Sequence, residues 1–119
     1  MIELAVCLPV IVVIVFGAIE ACTMIFLQQS LSAAAYEGAR VAARSNATNA
    51  QVDLRIQEVL SARQVTDFTV IRDPVDIEST PRGSYITIET SAACDENRLM
   101  NAWFFGGRQL RAQCTMVKE

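Results

Sequence analysis

The carboxylates Glu3 and Glu20 stand in the run "MIELAVCLPVIVVIVFGAIEACTMIFLQQ", which is otherwise apolar and carries no basic residue. A carboxylate in apolar surroundings is costly unless something pairs with it, so both are candidates for function. Catalysis is not the chemistry they suggest. The chain has no histidine, which removes the commonest general base and the commonest zinc ligand. Ser/His/Asp and Cys/His sites are therefore excluded. The head carboxylates Asp67, Asp73, Asp76, Glu78, Glu89, Asp95 and Glu96 show no spacing that implies a shared site and read as a solvated face. We expect no enzyme, no cofactor and no metal. A net charge of −3 without a basic cluster also argues against nucleic acid as a partner.

The four cysteines divide by environment. Cys7 and Cys22 lie in the apolar run, where cysteine behaves as a small hydrophobe. Cys94 and Cys114 lie in the polar part and flank a loop. In an exported domain they are the natural disulfide, worth about 3 kcal/mol by loop closure; in a cytosolic one they would be two buried thiols.

Several elements must position these residues. No charge occurs from Leu4 to Ile19, and apolar character resumes after Glu20 through Leu27. A helix of about 24 residues here spans roughly 36 Å, enough for a hydrocarbon core of about 30 Å. A secretory signal fits less well, since no basic segment precedes the run. The helical pattern continues through "QQSLSAAAYEGARVAARS", with Leu27, Leu31, Ala34, Ala35 and Gly38 on one stripe. Its small residues permit close helix approach. The expectation is one helix from Ile2 to Arg44, too long to bury itself against residues 46–119, so much of it must find other partners. Pro9 removes a backbone donor and clashes with the carbonyl of Ala5, and Gly17 adds a second weak point.

The stretch "SNATNAQ" breaks that helix, with Thr48 or Asn49 as the next N-cap. Val52, Ile56, Val59 and Leu60 then mark a short amphipathic helix. Asn46-Ala47-Thr48 is a weak match to a glycosylation sequon. Beyond Gln64 the period falls to two in "FTVIRD", "SYITIETSA" and "RQLRAQCTMVKE", with Leu110, Ala112, Cys114 and Met116 on one face of the last. "DENRLMNAWFFGG" between the last two strands reads as a loop or short helix capped by Gly106-Gly107, its aromatics a lid on a small core or a contact surface. The fold class is α+β: a long N-terminal helix, a short helix and an antiparallel sheet of about three strands with Cys94 beside Cys114. Residues 1–45 form the helix and 46–119 the head.

The ordered elements Glu3-Leu4-Ala5, Leu8-Pro9, Phe16-Gly17-Ala18-Ile19-Glu20 and Tyr36-Glu37-Gly38-Ala39-Arg40 resemble the N-terminal signature of TadE-like pilins. These belong to tight-adherence pilus systems and are related to type IV pilins. "CTMVKE" is also similar to that family's closing strand; the rest of the head matches only in outline. The resemblance implies a structural subunit that starts in the inner membrane and polymerises through its helix into an extracellular filament for adhesion or surface attachment. Implied partners are copies of the chain, the pilus assembly machinery and a prepilin peptidase. Glu3 would pair with a neighbour's N-terminal amine and set register, Glu20 would contact a neighbouring helix, and Pro9 and Gly17 would let bent helices pack. The family's basic leader is cleaved shortly before this glutamate. Here only Met1 and Ile2 precede Glu3, so either the chain starts near the mature end or Met1 is an initiator. Two alternatives remain: a minor pilin that primes or caps a pilus, and a monomeric membrane-anchored binding domain, which would need neither glutamate.

Overall fold

The computed structural model describes residues 1–97 and 107–119. The element order is helix α1 (Ile2–Ala42), helix α2 (Asn49–Ala62), and strands β1 (Phe68–Asp73), β2 (Tyr85–Ala93) and β3 (Gln109–Val117), with a 3₁₀ turn at Asp95–Asn97. The expected α+β class and its elements are therefore observed. Trp103, Phe104, Phe105 and Gly106, read as a lid or contact surface and a cap, lie outside the described residues. The long helix ends two residues earlier than expected. Its last turn tightens, with the Arg44 amide donating to the Val41 carbonyl at 3.2 Å, and this closes the helix before Arg44.

α2 begins where its capping chemistry dictates. The Thr48 hydroxyl accepts from the Gln51 amide at 3.2 Å, and the Gln51 side chain accepts from the Thr48 amide at 3.3 Å. This reciprocal pair satisfies two donors that the first turn leaves open. Asn49 then ties α2 to the β1–β2 connection, its side chain donating to Asp76 at 3.1 Å and accepting from the Ile77 amide at 3.0 Å. Hydrogen bonding by Ser79, then by Asn49, holds the Asp76 carboxyl below the usual carboxylate range.

The sheet is an antiparallel meander in the order β1-β2-β3. Phe68 pairs with Ala92 across one interface, and Ala93 with Gln109 across the other. One face is covered by the helices: α1 lies against β2 and β3, and α2 packs on α1. Leu31, Ala34, Ala39 and Ala42 of α1 meet Val52, Ile56 and Leu60 of α2 and Ile86, Ile88 and Ala92 of β2 in one buried core. Gly38 permits the closest approach. A Cβ there would stand 2.7 Å from both Cγ1 and Cδ1 of Ile56.

Polar contacts fix α1 on the sheet. The buried Thr90 hydroxyl donates to the Leu31 carbonyl at 2.8 Å, and Gln28 donates to the Arg111 carbonyl at 2.9 Å. Glu37 and Arg55, 3.3 Å apart, join the two helices at the surface, where such pairs contribute little. The far end of the head is closed by Lys118, whose buried ammonium donates to the Ile77 carbonyl, and by the Glu119 amide, which donates to the Ala43 carbonyl at 2.8 Å.

Candidate functional site

The burial of α1 changes abruptly along its length. Phe26 is 50% exposed and Leu27 2%. From Leu27 onward one stripe of the helix belongs to the head core; before it the helix projects, with only Met24 among the described residues packed against that core. The molecule is accordingly elongated, 71 Å by about 20 Å. The projecting stem, residues 2–26, is about 37 Å of helix and long enough for a hydrocarbon layer of about 30 Å. It is also apolar enough to cross a membrane, and none of its most apolar window is buried in the molecule. Leu8, Ile11, Ile14 and Ile25 each expose more than half of their surface. Exposure on this scale in a large apolar patch marks a surface that another phase or another chain must cover.

The hydroxyls on either side of the stem–head border bond back onto the helix. Thr23 donates to the Ile19 carbonyl at 3.0 Å, and Ser30 to the Phe26 carbonyl at 2.7 Å, each one turn back. Sequence reading had not singled them out, although a hydroxyl four residues after a helical carbonyl is the signal.

Glu3 sits in the first turn, where the helix dipole favours a negative charge. It is exposed and has no ion-pair partner among the described residues. Glu20 is half-buried. The two are about 26 Å apart along the axis and about 100° apart around it, so they do not form one site within a single chain. Pro9 and Gly17 lie inside α1, which continues unbroken through both. Cys7 and Cys22 are exposed on the same stem.

Cys94 and Cys114 are not brought together. Cys94 follows β2, and its amide donates to the Arg108 carbonyl at 2.9 Å. Cys114 lies opposite Ile88 in the middle of β3. The six strand positions from 108 to 114 correspond to roughly 20 Å, whereas a disulfide requires Cα atoms within about 7 Å. The pairing expected from sequence therefore gives way to the register of the β2–β3 hairpin. Both strands place their even-numbered residues on the core face, and that alternation is kept equally well by a register that would align the two cysteines. Period alone could not choose between them.

A single long helix, bare and apolar at one end and built into a small α+β head at the other, defines a membrane-anchorable, stem-and-head protein. Residues 1–40 match the family model described as TadE-like protein. The match covers the stem and nearly all of α1 inside the head, and it bears out the resemblance read from the N-terminal motifs. It points to a component associated with the Tad pilus system and, together with the apolar stem, to membrane anchoring. Neither the curated proteins nor the solved structures contain a match.

Proposed function

We propose that the chain is a structural, non-catalytic pilin-like subunit. Its stem waits in the inner membrane and then passes from lipid into a bundle of identical stems, forming an extracellular filament used for adhesion or surface attachment. The observation that carries this reading is the division of α1: one stripe of a continuous helix is core from Leu27 onward, and before Met24 none of its described residues joins that core. The bare part needs cover in either environment, and a bundle of like helices supplies it without lipid. Small residues along the helix favour close approach. Heads coat the outside of such a bundle.

Glu3 sets axial register in this mechanism. Its carboxylate is tolerable in lipid near the interface, but inside a bundle it needs a cation, and the N-terminal amine of a neighbour supplies one. A subunit at the wrong height leaves that charge unpaired, at a cost of several kcal/mol. Glu20 contacts a neighbouring helix, while Pro9 and Gly17 relax the stem's hydrogen bonding where helices bend to pack. A prepilin peptidase and the Tad assembly machinery act before and during this transfer.

Cryo-electron microscopy of filaments sheared from the source cells tests the reading. The expected density shows this stem in the filament core with Glu3 beside a neighbour's amine, and Glu3→Ala reduces filament yield while membrane insertion persists. A chain found only at filament tips is a minor pilin. Filaments that lack the chain, together with a monomer in membranes, overturn polymerisation and favour the anchored binding domain.

A further inference from the structure

Below the head, among the described residues, a groove of about 520 Å³ lies between α1 and the end of α2. Its floor is Val15, Ala18, Cys22 and Phe26, spaced three and four residues apart and so forming one apolar stripe. Its rim includes Thr23, Asn97 and Arg63, the last being the residue that caps the C-terminal end of α2. Thr23 and Asn97 are satisfied internally: Thr23 bonds Ile19, and Asn97 donates to the Thr66 and Ala93 carbonyls at 2.7 and 3.0 Å. Arg63 differs. It is exposed, and its guanidinium makes no hydrogen bond or ion pair among the described residues.

The height of the rim is informative. From Leu4 to Thr23 the helix rises by roughly 30 Å, the thickness of a hydrocarbon core. With Glu3 at one interface, Thr23 and Arg63 lie at the other, where phosphates sit. The floor stripe then runs on into the head, since Ser30, one turn above Phe26, is fully buried. A parallel helix from a second copy following this stripe would meet the head. An acyl chain whose polar end belongs at that level would stop there.

We infer that this groove holds an anionic phospholipid of the bilayer, one acyl chain lying along Val15–Phe26 and the phosphate on the Arg63 guanidinium. The fork of an arginine matches phosphate oxygens in a paired, charge-assisted geometry. Selectivity comes from the charge at the rim, and the apolar floor binds any chain. The inference rests on anchoring of the stem in a bilayer and not on polymerisation.

Native mass spectrometry of the full chain in detergent, titrated with dioleoylphosphatidylglycerol or dioleoylphosphatidylcholine, provides the test. The expected result is preferential retention of the phosphatidylglycerol, weakened about fivefold in Arg63→Gln and only partly restored in Arg63→Lys, which keeps the charge and loses the fork. Arg82→Gln, at an exposed head position away from the groove, leaves it unchanged. Ala18→Trp, on the exposed floor, abolishes retention of both lipids while the thermal melt of the head stays as in the wild type. Equal retention of the two lipids, equal loss in Arg82→Gln and Arg63→Gln, retention that survives Ala18→Trp, or a second copy bound in place of lipid each overturns the inference. The lipid outcomes leave open whether stems form a filament core; a second copy in the groove would overturn the lipid inference while favouring stem association.

Discussion

A methyl group at position 38 would collide with Ile56, and this makes Gly38 a sensitive probe of how α1 and α2 pack. Gly38→Ala should gain about 1 kcal/mol in helix propensity and lose about 1–3 kcal/mol to overpacking. The expected net effect is a lowered melting temperature. In an Ile56→Ala background the clash is gone, since the atoms 2.7 Å from the new methyl are Cγ1 and Cδ1 of that side chain. There the same substitution should raise the melting temperature. A destabilising effect of equal size in both backgrounds, measured by thermal denaturation, would place the constraint elsewhere. In the sequence, Gly38 is only one small residue among several. The helix it accommodates is brought in by the turn at residues 43–48, and local pattern does not encode that long-range contact.

At the scale of elements, legibility followed the source of each signal. The stem was readable because its apolar run, uncharged from Leu4 to Ile19, is long and apolar enough for a membrane-length helix. The three strands were readable from their alternation, and the cap of α2 was narrowed to Thr48 or Asn49, of which the structure uses Thr48. Register was not readable, since alternation excludes only odd shifts. The observed pairing of Ala93 with Gln109 makes a direct prediction. After oxidation of a Cys7→Ser, Cys22→Ser variant, peptide mapping should find no link between Cys94 and Cys114. A dominant link would mean that β3 is slid by six residues relative to β2. The border between stem and head was also hidden, because residues on both sides of Phe26 are apolar and only burial distinguishes them.

For the whole molecule, that border predicts separability. The fully buried core begins at Leu27, and among the described residues nothing before Met24 packs against it. Removing residues 1–23 should therefore yield a monomeric head that is soluble in aqueous buffer and melts within a few degrees of the full chain in detergent. Sedimentation and thermal denaturation check this. Aggregation or loss of the transition would show that the head depends on its stem. The same border also lacks any joint. Because α1 crosses this border as continuous helix, head orientation is indexed to the stem residues above Gly17 at about 100° and 1.5 Å per position. One residue inserted between Thr23 and Met24 would turn the head by more than a quarter of a revolution relative to the stem below, while leaving the core contacts from Met24 onward in place. In an array of such rods, the length of the stem thus acts as an angular setting, fixing which side of each head faces outward.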